Sequence, residues 1–398
     1  MINIKSISLL ACAAAFCTAS LAQTVDGTKF RAIEEGEWYH PVEPEMWAYF
    51  GADEATLYEV LARVSQSEGA RVDPNQPDTQ IDYGPGNWIY EFTAAGDAAL
   101  AAGNHKAATI YYHTASAPHT NDPYSVAALQ SANAAYVQAA TEIAGTFDVV
   151  DIAHAGASFQ AFLHLPEGDG PFPVLVMSNG SDMSKVTALN YYQTHLQPKG
   201  IAFLTLDIPG MGDSIAYDVS DGQTDKLHAA AAAWAKTHPA LQENNVFVQG
   251  VSFGGNAAAR LFLDKPELDL AGVIYTCGPL HQAFLAPPGA YENFPRYTID
   301  GVKMRVGLDM DASYRELADA VRGLSLENQG LLDGGKISTP LLAINTHDDP
   351  VASLDDMSLL LDRAENAESV VFHLPGHCPP HNQREAIVSA WITSNLRD

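Results

Sequence analysis

Two periodicities divide the chain near residue 145. From 42 to 145, apolar side chains return at helical spacing: Met46, Phe50, Tyr58, Val60 and Leu61, then Ala98, Leu100, Ala107, Ile110 and Tyr111. The stretch 98–115, broken at its middle by Gly103 and Asn104, predicts two short antiparallel helices, and Asp122-Pro123 opens another over 124–143. Only one such helical unit is visible, so no repeat array is predicted. From 146 the pattern changes. Residues 147–152 and 158–165 alternate like half-buried strands, with Ala155-Gly156 between them as a hairpin turn. The runs 172–177, 201–206, 246–248, 270–275 and 340–344 are continuously apolar, and helical stretches separate most of them, as in a mostly parallel sheet buried on both faces. The alternation fails between Cys277 and Ile337, where Pro287-Pro288-Gly289, several aromatics and one predicted helix over 314–324 stand instead. An interruption of that length inside a regular alternation reads as a lid. The expected class is α/β: a helical N-terminal domain at 23–145 and a sheet domain at 146–398 carrying a lid insertion at 278–337.

The first residues change the picture of where the chain works. Lys5, an apolar stretch from Ile7 to Phe16 and small residues up to Ala22 describe a secretory signal peptide cut after Ala22. A lipoprotein cut before Cys12 is the competing reading, and Leu10 fits it poorly. The expected location is periplasmic or secreted. No run is long enough for a membrane span. The 398 residues carry 21 Lys and Arg against 48 Asp and Glu, a formal charge of −27. Such a chain repels nucleic acid and anionic membrane surfaces, so the expected partner is a small-molecule substrate. Of four cysteines, Cys12 and Cys17 leave with the leader, and Cys277 and Cys378 remain in an oxidising compartment. Both fall at the same end of the expected sheet. Two separate buried thiols are the favoured reading and a bridge the alternative.

The candidate chemistry centres on Gly250-Val251-Ser252-Phe253-Gly254-Gly255. An apolar strand leads into it and a small-residue helix follows, the setting a nucleophile elbow needs. With Gly at 30 of 398 positions the pattern alone is common, so the rest of the chain must carry the argument. Two later strands end in chemistry-bearing loops: one in His347, Asp348 and Asp349, the other in Gly376 and His377. The order Ser252, Asp349, His377 is that of the α/β-hydrolases. A serine hydroxyl becomes nucleophilic when an imidazole takes its proton, and a carboxylate fixes the imidazole's tautomer. Asp349, directly before Pro350, is the expected acid, with Asp348 the alternative. An oxyanion hole calls for two backbone N–H groups: one from Phe253, the other from the loop 178–182 through Gly180 and Ser181. Asn179 and Asp182 in that loop, and His281 in the lid, are candidates for the substrate pocket. The turn 207–213 is Gly-rich but lacks the Lys-Ser/Thr of a phosphate loop and reads as pocket wall. His373, His377 and His381 have the spacing of helical zinc ligands, but Pro375, Pro379 and Pro380 forbid that helix, so no metal and no cofactor are expected.

The segments 250–261 and 206–214, the loop 179–182 and the ending Gly376-His377-Cys378, together with the helical leader, resemble the fermentation/respiration switch protein-like (FrsA-like) branch of the α/β-hydrolases over roughly 42–396. The resemblance implies a serine esterase-type hydrolase with a helical domain over its active site. The branch also includes hydrolases of carbon–carbon bonds in β-diketones. This chain departs from it in carrying a leader and in Asn179, where Gly is more usual. The expected function is ester hydrolysis through an acyl-enzyme on Ser252. Hydrolysis of a β-diketone carbon–carbon bond by the same triad is the alternative, and a non-catalytic binding protein on the same scaffold a second one. Carbon–carbon cleavage asks for an additional acid, for which His281 is the sequence's candidate. The oligomeric state stays open, a homodimer included.

Overall fold

The structure is a computed structural model that describes residues 40, 42–64, 83–117, 123–294 and 296–398. The leader expected at 1–22 lies outside them. Strands β1 (Thr146–His154), β2 (Ala157–Leu165), β3 (Phe172–Ser178), β4 (Ala202–Leu206), β5 (Leu241–Val251), β6 (Gly272–Thr276), β7 (Leu341–Asp348) and β8 (Ala367–Pro375) form one sheet, ordered β1-β2-β4-β3-β5-β6-β7-β8. β1 and β2 pair antiparallel across a turn in which Ala155 and Gly156 both take positive φ, as a two-residue hairpin demands. β2 meets β4 antiparallel, and every later pairing is parallel.

The continuous apolar runs fill both faces of this sheet. Val174, Val176, Val246, Val248, Val273, Leu341 and Ala343 join one core cluster, together with α6 (Lys226–Thr237) and α7 (Phe253–Asp264). Their neighbours Leu175, Met177, Phe247, Ile274, Leu342 and Ile344 join the other, with α11 (His381–Ser394). Side chains one residue apart point to opposite faces, so a strand buried on both sides must be apolar throughout.

Before the sheet come α1 (Pro44–Phe50), α2 (Glu54–Val64), α3 (Trp88–Ala101), α4 (His105–Ser116) and α5 (Pro123–Thr141). The predicted helix pair over 98–115 is α3 and α4, joined at 102–104, where Asn104 caps α4 by accepting from the Ala107 N–H. These helices share a core of their own around Trp47, Leu57, Trp88 and Phe92. They also reach the sheet domain: Tyr136 stacks on Phe162, Tyr49 donates to Glu385 of α11 at 2.5 Å, and Lys106 donates to Asn190 and Gln193 at 3.0 Å each.

The insertion after β6 holds two helices where the pattern predicts one. α9 (Tyr314–Val321) matches that prediction, and α8 (Arg296–Arg305) is the addition. Its sequence hides it, because Asp300, Lys303 and Arg305 are buried where helical periodicity expects apolar residues, and Gly301 interrupts. A further helix, α10 (Leu354–Leu361), lies between β7 and β8. Among the described residues, no helix is long and apolar enough to cross a membrane.

Candidate active site

β5 runs out at Val251, and α7 begins at Phe253. Between them Ser252 is forced to φ 53°, ψ −122°, a region that non-glycine residues rarely occupy. The flanking glycines make the turn sterically feasible. A Cβ on Gly250 would stand 1.8 Å from the Gly254 carbonyl oxygen, and one on Gly254 would stand 2.5 Å from the Asn179 oxygen. The Ser252 N–H is held by the Thr276 carbonyl at 2.9 Å, which fixes the elbow to the end of β6.

Loops leaving β7 and β8 bring the other two residues. His377 Nε2 lies 2.7 Å from Ser252 Oγ, and His377 Nδ1 lies 2.9 Å from both oxygens of Asp349. Asp349 has no exposed side-chain surface; its Oδ1 accepts from the Val351 and Ala352 N–H groups at 2.8 Å and its Oδ2 from Cys378 N–H at 3.1 Å. Burial works to raise the carboxyl's pKa, but the hydrogen bond and charge of His377 and the two loop amides outweigh it, so Asp349 stays ionised below the ordinary carboxylate range. An ionised carboxylate only accepts, so the proton sits on Nδ1, and Nε2 is left to accept from the serine hydroxyl. The alternative acid, Asp348, ends β7 with 75% of its side chain exposed and pairs with His347 at 2.7 Å.

The loop after β3 passes directly over Ser252. A Cβ on Gly180 would stand 2.5 Å from Ser252 Cβ and 3.0 Å from its Oγ, so only glycine fits. Phe253 opens α7, whose N-terminal amides face developing negative charge favourably. Ser181 is buried, and its carbonyl accepts from the Arg305 guanidinium. Arg305 comes from α8, a residue and a helix that sequence reasoning missed. Burial lowers it to about 10 against the opposing pull of Asp182, Tyr297 and Asp207, so it remains a cation and braces the loop.

Three expectations need correcting. Asn179 is not among the residues lining the pocket described below: its amide donates to Ser184 O at 3.3 Å and Thr187 Oγ1 at 3.0 Å, in the segment that follows its own loop. His281 is engaged by Ser325 at 2.7 Å and Glu327 at 3.2 Å, within the insertion and among groups that do not belong to the Ser252 cluster. The turn 207–213 is an anchor and not a pocket wall. Lys185 donates to Asp207 at 2.9 Å and to Asp213, and Asp207 also accepts from the Lys185 N–H at 2.7 Å. Burial would lower the Lys185 pKa, but the two carboxylates outweigh it and hold the cation.

Asp182 does line a pocket. Its walls are Trp47 and Phe50 of α1, Trp88 of α3 and Tyr297 of α8, with Glu43 just before α1, around an empty volume of about 380 Å³ that includes its opening to solvent. Burial pushes the Asp182 carboxyl above its ordinary range, against the charges of Arg305 and His377. Burial, then the charge of Asp182, push Glu43 up, with His377 opposing. Asp182 stands two residues after Gly180, which passes over Ser252, so the pocket opens beside the serine cluster. None of the wall residues has a sequence signal of its own, since aromatics at helical spacing read equally as core.

The favoured reading of the two cysteines is also corrected: Cys277 and Cys378 are bonded, their Cα atoms 5.2 Å apart. β6 and the loop after β8 end on the same edge of the sheet, which brings the two backbones within bridging range. Among the described residues, the side chains close enough together to share a metal are these two cysteines and His377, and the sulfurs are spent on each other.

The sequence profile of the family described as Esterase FrsA-like matches residues 12–396. The chain is similar to Esterase FrsA of Photobacterium profundum, 29% identical over 99% of this chain and 96% of that one. It is likewise similar to Esterase FrsA of Salmonella typhi, 30% identical over 90% of this chain and 89% of the relative. Among solved structures, AbyA5 superposes with a TM-score of 0.64 at 20% identity, covering 79% of this chain and 90% of its own. The 2,6-dihydroxy-pseudo-oxynicotine hydrolase superposes with the same score at 18% identity, covering 88% and 95%. At these identities the superpositions speak for the fold, which is that of the α/β-hydrolases.

Proposed function

Because the chain belongs to the FrsA-like esterase family, we propose that it is an exported serine hydrolase that cleaves carboxylic esters through an acyl-enzyme on Ser252. The observation that carries the reading is the relay in which Ser252 Oγ stands 2.7 Å from His377 Nε2 while Asp349 holds Nδ1. In it, His377 takes the hydroxyl proton as Ser252 attacks the ester carbonyl, and Asp349 stabilises the imidazolium. The N–H groups of Phe253 and of the Gly180-Ser181 loop serve the oxyanion. His377 then returns the proton to the leaving alcohol, and a water activated by His377 releases the acid. The aromatic walls of the pocket suit short or aromatic acyl esters. Export is supported by the leader-like first 22 residues and by the cysteine pair at bridging distance.

A second reading, hydrolysis of a carbon–carbon bond in a β-diketone, is favoured by one observation. Asp182 and Glu43, whose carboxyls are pushed up, face the pocket, and such carboxyls are the kind of acid that a departing carbanion needs. Assay of the purified protein on p-nitrophenyl acetate and on a β-diketone separates the two. Ester turnover with mass-tagging of Ser252 by an organophosphate is the expected result. Inertness toward every ester with activity on the β-diketone would reverse the ranking.

A further inference from the structure

We propose that the Cys277–Cys378 disulfide is the positioning element of His377 and that it makes turnover depend on oxidation of this pair. The inference rests on the reading that His377 is the base for Ser252.

The bond ties together the two halves of the relay. Cys277 directly follows Thr276, whose carbonyl holds the Ser252 N–H, and its own N–H donates to Ile344 O of β7 at 2.9 Å. Cys378 directly follows His377, and its N–H donates to Asp349 at 3.1 Å. One covalent link therefore joins the floor under the nucleophile to the loop bearing the base and the amide that steadies the acid.

That loop has reason to relax without the link. Gly376, Cys378 and, across the bond, Cys277 have φ of 98°, 66° and 45°. For the two cysteines this left-handed backbone is reached only against Cβ crowding. The polar hold on the Gly376 carbonyl is the Thr346 hydroxyl at 2.7 Å, and the His377 side chain is 29% exposed.

Reduction also changes the chemistry at Nε2. Cys378 Sγ lies 3.5 Å from the same nitrogen that Ser252 engages. In the disulfide this sulfur has no proton to give. A dithiol reductant transfers two electrons and two protons to the bond, leaving two thiols and a cyclic disulfide of the reductant. A thiol, with a pKa of about 8.5, gives up its proton far more readily than a serine hydroxyl. Beside an imidazole it yields a thiolate–imidazolium pair. An imidazolium cannot accept the serine proton, so loss of position and loss of the base act in the same direction.

The test uses the full chain, oxidised and then treated with dithiothreitol until peptide mass mapping finds Cys277 and Cys378 both as thiols, below the unfolding temperature of each form. Organophosphate labelling of Ser252, followed by mass, reads the relay without knowledge of the substrate. Labelling rate and kcat are expected to fall at least tenfold on reduction, with KM little changed, and to return on reoxidation. Cys277→Ala, which leaves Cys378 as a free thiol, is expected to fall below Cys277→Ala/Cys378→Ala, which lacks the competitor. Equal labelling of reduced and oxidised protein overturns the inference, as does a loss that tracks unfolding in every variant. Absence of labelling in the oxidised protein overturns the underlying reading of Ser252 itself.

Discussion

At the edge of the sheet, Ser252, Asp349 and His377 each stand just past the end of a parallel strand, and their relative positions follow from strand register and tight turns. The pocket beside them draws its walls from α1, α3, the loop after β3 and α8, segments that lie far apart in the sequence. The first region is rigid because its backbone is committed to a ladder of hydrogen bonds with an apolar face on either side. The second is held largely through side chains: Tyr49 on Glu385, Lys106 on Asn190 and Gln193, and Arg305 under the Ser181 carbonyl. The contrast teaches where each property resides. On the proposed reading, reactivity belongs to the sheet edge, and selection among substrates to the helical layer above it.

The largest effect that would sharpen this comparison is at the nucleophile. Ser252→Ala is expected to lower kcat by about 10⁴-fold or more, because members of such a relay act as a unit. Thermal unfolding should stay where it was, since the elbow is set by Gly250 and Gly254. Near-native turnover in this variant would detach reactivity from the sheet edge altogether.

The two neighbouring acids come next. Asp349→Asn is expected to cost about 10⁴-fold in kcat, because an amide no longer enforces the Nδ1–H tautomer. Asp348→Asn, at an exposed position, is expected to stay within about twofold of the parent. Steady-state kinetics on one ester compares them, and the reverse ranking would shift the acid by one residue.

Arg305 probes the joint between the two regions. Arg305→Met leaves Asp182 and the Ser181 carbonyl without their cation, and we expect a stability loss of about 3–5 kcal/mol by denaturant unfolding. A kcat decrease of about 10²-fold should accompany it, since the loop over Ser252 loses its brace. Unaltered kcat in the folded variant would mean that the loop is held from the sheet side alone.

The smallest effect is read in pH. Burial lowers His113 of α4 to about 4, against the opposing charge of Asp207, and lowers His228 of α6 to about 4 as well. Both are held neutral in the fold while the unfolded chain protonates near 6.5, so their stability is complete above that pH and is lost as pH falls toward 4. Each contributes a loss of about 1.4 kcal/mol per pH unit in that window. His113 also meets Ser184 at 3.2 Å, across the joint between helices and sheet domain. One cooperative acid transition seen equally by near- and far-ultraviolet circular dichroism is expected, its slope reduced by about one proton in His113→Asn. Two separated transitions would show that helices and sheet unfold independently.

Much of this molecule was determined by the sequence alone. Seven of the eight strands, the helix pair at α3 and α4, and the succession Ser252, Asp349, His377 follow from period-two and continuous apolar runs, from glycine at the elbow and from loops at strand ends. Each of these is a signal confined to a few consecutive residues. Tertiary structure decided what depends on distant parts of the chain meeting. Cys277 and Cys378 became a bond because two strand ends share an edge. Asn179 turned into its own loop and His281 into the insertion, since other polar groups reached them first. Helix α8 formed around Asp300, Lys303 and Arg305, whose burial is tolerable only where partners from elsewhere satisfy their charge. Periodicity records which side of an element is apolar. It carries no record of which polar group, hundreds of residues away, will be there to meet a buried charge.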